Sequence, residues 1–161
     1  MPPRFARDTG QRISECLLRW PEVNWISGQI ITTGKKGRRI VIPITPKVRE
    51  ILWPLRGHHE EFVFTYVARH TFRNRRIGGQ LSPLIKGQRY PITYGGPDKA
   101  WRKIRKDASL QDFRIHDFRH DLATKLLRET GNLKLVQRAL NHADIKTTAR
   151  LMSLTRTWRP A

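Results

Sequence analysis

Apolar residues recur along this chain with two periods, and each period predicts a different kind of element. Ile13, Cys16, Leu17 and Trp20 are spaced for one face of a helix over residues 12–20, with Thr9 and Gly10 as the turn before it. The stretch WISGQIITTGKKGRRIVIPIT (25–45) reads instead as a strand, a Gly/Lys turn and a second strand. Ile40, Val41 and Ile42 make that second strand β-branched and apolar, and Pro43 ends it. Thr45-Pro46-Lys47 then opens a helix through Val48, Ile51 and Leu52, with proline at the tolerated first position. Residues 54–61 turn and lead into FVFTYV, a short extended piece. From Ala68 to Pro91 the text is polar, basic and broken by Gly78, Gly79, Pro83 and Gly87, which predicts a long flexible basic loop.

The C-terminal half is helical in pattern. DKAWRKIRKDA (98–108) predicts a basic helix with Ala100, Trp101 and Ile104 facing inward and Lys99, Arg102, Lys103, Arg105 and Lys106 outward. HDFRHDLATKLLRETG (116–131) predicts another, with Leu122, Leu126 and Leu127 on one side and Gly131 as its stop. LKLVQRALN and DIKTTARLM add two shorter helices, the second capped by Asp144. The fold class expected is mixed α/β, mostly helical with a small antiparallel sheet, as one domain over residues 1–161.

Charge adds what periodicity cannot. The 161 residues carry 32 Lys+Arg against 13 Asp+Glu, a net +19, so a polyanionic partner is expected, nucleic acid before a membrane surface. A lone cysteine, Cys16, excludes an internal disulfide and fits a reducing compartment; its apolar setting predicts an inert buried thiol. No apolar run approaches the ~18 residues of a membrane span. The start, MPPRFARDTG, has no signal-peptide core and is expected to be the cut edge of a longer protein.

Chemistry-bearing residues are ordinary surface charges when taken singly. His116 and Arg119 lie three apart at a helix start, a pair suited to an anion. Arg12 follows Thr9-Gly10, with Glu15 three residues on to orient it; Lys35 and Lys36 sit at the tip of the predicted hairpin. His142 follows Asn141, a residue that tolerates a left-handed helix stop. Together, two arginines, a lysine and two histidines suit transfer at a phosphodiester. The arginines clamp the non-bridging oxygens, the lysine protonates the leaving oxygen, and the histidines supply hydrogen bonds and base assistance. The His116-Asp117 pair lacks further carboxylate and histidine partners, so a metal-dependent phosphohydrolase is disfavoured and neither metal nor cofactor is called for.

The order and spacing of TGQRISECLLRW, KKGRRIVIP, HDFRH and LNHADIKTTAR resemble the catalytic domain of the tyrosine recombinases, the phage integrase family. The resemblance implies catalytic roles for Arg12, Lys35 (with Lys36 the fallback), His116, Arg119 and His142. It also implies double-stranded DNA as partner, contacted by Lys36, Arg38 and the helix carrying Lys99, Arg102, Lys103, Arg105 and Lys106. It further implies assembly of several copies on DNA, no small-molecule cofactor, and a cytoplasmic protein of a bacterium, phage or mobile element. Family members close a clamp around DNA with an additional N-terminal domain, which has no counterpart in these 161 residues. Type IB topoisomerases use a similar constellation; the short HxxRH and TTxR patterns favour a recombinase. A non-catalytic DNA-binding descendant of such an enzyme is the other reading.

One position departs from the family. Its nucleophilic tyrosine follows the last histidine by nine residues, and here that count falls on Leu151 in Thr147-Thr148-Ala149-Arg150-Leu151. Ser153 carries a hydroxyl but lies about 200° further round a helix. The resemblance therefore implies a chain that binds DNA and does not cut it.

Overall fold

The computed structural model describes residues 2–34, 37–77, 80–110 and 113–154, without the side chains of residues 76, 77, 80, 99 and 154. Lys35, Lys36 and the C-terminal tail thus lie outside the described residues. The mixed α/β class is as expected: six α-helices and three small antiparallel sheets among the described residues.

Helix α1 (Pro2–Thr9) opens the fold, where the sequence pattern predicts no helix. Its buried residues, Pro2, Phe5, Ala6 and Thr9, repeat at helical spacing, and the chain leaves it through Gly10. Gly10 has φ +66 and donates its N–H to the Ala6 carbonyl at 2.8 Å, a left-handed stop. A Cβ there would come within 2.7 Å of Leu122 Cδ2, so only glycine lets the two segments approach.

The helix predicted over residues 12–20 is a correction. Ile13–Cys16 is a single 3-10 turn and Trp20–Glu22 another. Between them the chain is extended because its backbone pairs elsewhere: Val63 N–H donates to Leu18 O, and Trp20 N–H to Glu61 O. Pairing with a distant segment, residues 61–63, thus wins over local helix propensity.

Strands β1 (Val23–Asn24), β2 (Gln29–Thr33) and β3 (Arg39–Pro43) form one antiparallel sheet in that order. Alternation buries Ile30, Thr32, Ile40 and Ile42 on one face, with Ile30 opposite Ile42 and Thr32 opposite Ile40. The predicted helix after Pro43 is α2 (Pro46–Leu52), and the Thr45 hydroxyl accepts from Val48 N–H. These faces meet Phe5, Leu18, Val63 and Phe64 in the main core. Each large apolar side chain buried there contributes about 1.5–3 kcal/mol.

The predicted loop 68–91 carries paired backbone. Strand β4 (Thr65–Val67) pairs with β7 (Arg89–Pro91), and β5 (Arg76–Ile77) with β6 (Gln80–Leu81). Helix α3 (Gly96–Asp107) also differs in one respect from its predicted face. Trp101 packs on Phe113 and Phe118, but Ala100 and Ile104 are exposed. Trp101 and the buried Pro97 carry the apolar contact of this helix, and Ile104 stays about half exposed.

Helices α4 (Asp117–Thr130), α5 (Leu133–Ala139) and α6 (Ile145–Leu154) match the predicted C-terminal pattern, with Gly131 at φ +62 closing α4. Asp144 caps α6, accepting from Lys146 N–H at 2.9 Å. Ala123, Val136 and Leu140 form a second core, against which Leu126, Leu127, Leu151 and Met152 pack. Helix α1 packs on α4, which joins the two cores.

Candidate active site

Arg12 is presented by the first 3-10 turn. Glu15, 3% exposed, accepts from both the Arg12 backbone N–H and Nη1, each at 2.8 Å, so the guanidinium is fixed at one end and half-exposed at the other. Cys16 follows, fully buried, and burial pushes its thiol far above the usual range, which makes it inert. The root of the β2–β3 hairpin sits directly on this turn. A Cβ on Gly34 would lie 3.4 Å from Glu15 Oε1, and Gly34 N–H donates to Arg38 O at 2.7 Å.

Arg119, in the first turn of α4, points into the protein and is 2% exposed. Nη1 donates to the Gly10 carbonyl and Nη2 to the Leu140 carbonyl. One guanidinium thereby joins the end of α1 to the end of α5. Burial, and then Arg12 beside it, push its pKa down to about 10, so it stays protonated at neutral pH. Two of its five N–H donors are committed to carbonyls and three remain.

His116 stands one turn before His120, their rings 5.4 Å apart and edge-on. Burial and then His120, with Arg119 and Arg12 adding to it, lower the pKa of His116. His142 lies beyond Asn141, whose φ of 51° turns the chain out of α5 as its residue type allows. Its Nδ1 is hydrogen-bonded to the fully buried Thr148 hydroxyl at 2.9 Å, which ties α6 to the site. Burial and then Arg119, Arg12 and Arg38 press its pKa down to about 4. Both imidazoles are therefore uncharged at neutral pH, and the depression that keeps them so also makes them weaker bases, His142 most of all.

This depression has a measurable consequence. In the folded state His142 takes a proton only near pH 4, whereas an unfolded histidine does so near ~6.5. The unfolded chain therefore binds more protons between those values, and stability is full above ~6.5 and falls as the pH drops towards 4. Thermal melting followed from pH 7 to pH 4 should show a falling midpoint, with a smaller fall in His142→Asn.

The predicted site residues divide among three places. Arg12, His116, Arg119 and His142 converge, each close enough to perturb another's charge. Arg102 and Arg105 line a cleft of about 460 Å³ with Arg12 and His116, joined there by Tyr94 and Arg114. Arg38 instead reaches the His142 side. Lys103 and Lys106 are exposed on α3 and line neither hollow; the Lys99 side chain and both hairpin lysines lie outside the described residues. Leu151 is half-buried one turn beyond Thr148 and packs against Ala123, Val136 and Leu140. Tyr94 and Arg114 were missed as site residues, and only Arg114, two before His116, had a sequence signal in its proximity; Thr148 belongs to the Thr147-Thr148 pair that the sequence already marked, and the structure adds its bond to His142.

Among the described residues, no cluster of three His, Cys, Asp or Glu is arranged to hold a metal ion, and no helix is long and apolar enough to cross a membrane.

The model of the phage integrase family matches residues 3–155. The chain is 29% identical over 143 residues to the tyrosine recombinase XerC of Pediococcus pentosaceus, covering 87% of this chain and 44% of that protein. It is 28% identical over 140 residues to the integrase of Salmonella phage P22, covering 83% and 33%. The chain thus spans less than half the length of these relatives. Among solved structures, XerA recombinase superposes with a TM-score of 0.59 at 22% identity, over 99% of this chain and 58% of that one. XerH recombinase in a pre-cleavage complex with its difH substrate gives 0.57 at 21%, over 99% and 46%. At such identities these likenesses establish the fold.

Proposed function

Because the chain belongs to the phage integrase family, we propose that it is the catalytic domain of a site-specific tyrosine recombinase that binds duplex DNA and does not cleave it. The observation that carries this reading is the pairing of a convergent cationic site with a hydrocarbon side chain at position 151. Two of the solved structures that share this fold are complexes of XerH recombinase with its difH substrate, which supports DNA as the partner.

In this mechanism a backbone phosphate lies between Arg12 and the free N–H groups of Arg119, which take its non-bridging oxygens. His116 and His142, both neutral, hydrogen-bond the same phosphate. His142 is aimed by Thr148. Lys35, outside the described residues, is the residue to which the family resemblance gives protonation of the leaving 5′ oxygen. The step that would follow, attack on phosphorus to give a 3′-phosphotyrosyl link, has no nucleophile at position 151. Cleft residues Arg102, Arg105 and Arg114 extend the contact along the strand, and several copies assemble on one site in the cytoplasm of the host cell.

Fluorescence anisotropy with a labelled duplex tests the binding half. With about 6 phosphate contacts, log K should fall against log salt with a slope of roughly −5. Failure to bind duplex at low salt would overturn the reading.

A further inference from the structure

A recess of about 380 Å³ opens beside His142, walled by Arg38 from the hairpin and by Lys134, Arg138 and Asn141 from α5 and its C-terminal turn. Lys134 and Arg138 are one helical turn apart and share a face, and like Arg38 they are exposed. Among the described residues no carboxylate forms an ion pair with any of these three cations. Asn141 adds a different kind of signal. Its left-handed backbone is fixed by a hydrogen bond to Arg138 O at 3.0 Å, and its Nδ2 is buried with no hydrogen-bond partner among the described residues. Buried donors are nearly always satisfied, so an unused one at the wall of a cationic recess points to an acceptor that arrives with a ligand. Gln137 Nε2 donates to His142 O at 3.2 Å and couples this wall to the histidine; its unpartnered Oε1 suits a bridging water.

Three cations and an amide donor, with no acid among them, select an anion with several acceptor oxygens. We propose that this recess is a second phosphate site, holding the backbone phosphate next along the strand from the one held by Arg12, Arg119 and His142. The inference rests on the DNA-binding reading above and adds to it a register device. Gripping two successive phosphates fixes which one faces the histidines, whereas gripping one leaves the strand free to slide.

The test uses the whole chain, a labelled mixed-sequence duplex of about 30 bp, and salt from about 50 to about 200 mM. Lys134→Gln/Arg138→Gln is compared with Lys47→Gln/Lys125→Gln, which removes equal charge from exposed positions outside the recess. The recess pair should weaken binding about tenfold and flatten the log–log slope by about 0.9, the value of one phosphate. The control pair should do less than half of either. Asn141→Gly keeps the left-handed backbone and removes only the amide; it should weaken binding about threefold with the slope unchanged. Equal effects of the two double variants, or none from Asn141→Gly, would overturn the second site while leaving the DNA reading intact. A wild-type chain that does not bind the duplex overturns both.

Discussion

Leu151→Tyr is expected to give a covalent protein–DNA adduct with a suicide duplex, and the wild-type chain none. Position 151 lies one turn beyond Thr148 on α6, and the Thr148 hydrogen bond to His142 fixes that helix against the site. A phenol with a pKa near ~10 must lose its proton; His116 is held neutral and is the better placed imidazole to take it, since His142, with a pKa of about 4 and its Nδ1 on Thr148, is the weaker base. Loss of a nucleophile from a concerted site costs on the order of a millionfold in turnover, so the contrast between the two chains should be all or nothing in a gel assay. Leu151 is only half-buried, so a ring placed there can keep its edge on Ala123, Val136 and Leu140 and turn its hydroxyl outward; the misfit costs about 1–3 kcal/mol. Leu151→Phe supplies the control, with the ring and without the hydroxyl. An adduct from the wild-type chain would refute the claim and direct attention to Tyr94, whose exposed side chain lines the cleft with Arg12 and His116. No adduct from the tyrosine variant, under conditions where it binds the duplex and melts normally, would mean position 151 is not the place of attack.

How much of this was legible in the sequence follows from how local each signal is. The Thr45 cap, the Gly131 stop, the Asn141 turn and the Asp144 cap depend on residues within four positions of one another, the β2–β3 hairpin pairs neighbouring segments of one short stretch, and the structure has each of them. The helix predicted over 12–20 failed because residues 18–20 pair with residues 61–63, a contact no short window contains. Ala100 and Ile104 obey helical spacing yet face solvent, since periodicity says which residues share a face and nothing about whether a partner covers it. The site was legible as a set of residue types in order, Arg12 through His142. Its geometry was not: that Arg119 is buried and spent partly on carbonyls, and that Thr148 aims His142, are tertiary facts.

That geometry changes what removal of Arg119 should do. Arg119→Ala would be a clean test of phosphate binding if the guanidinium faced only solvent and ligand. Instead it bridges Gly10 O and Leu140 O from a position 2% exposed, where α1 meets α4 and α5. Removing it strands two buried carbonyls at about 1–3 kcal/mol each, against a total stability of about 5–15 kcal/mol for an ordinary domain. For a chain of this size each kcal/mol shifts the melting midpoint by about 2–4 °C, so the midpoint should drop by about 5–20 °C. Arg119→Lys keeps the charge but offers one ammonium where two separate carbonyls need donors, and it should lose much of the same stability. A midpoint within about 2 °C of wild type in the alanine variant would show that the bridge carries no structural weight. The phosphate role is then read separately, by duplex affinity measured well below each variant's own midpoint. Both variants should bind more weakly there, lysine less so than alanine, because the lysine variant keeps the charge and loses only the fork. Equal, undiminished affinity in the two would leave Arg119 as a staple between helices and place the phosphate clamp on Arg12 and the histidines alone.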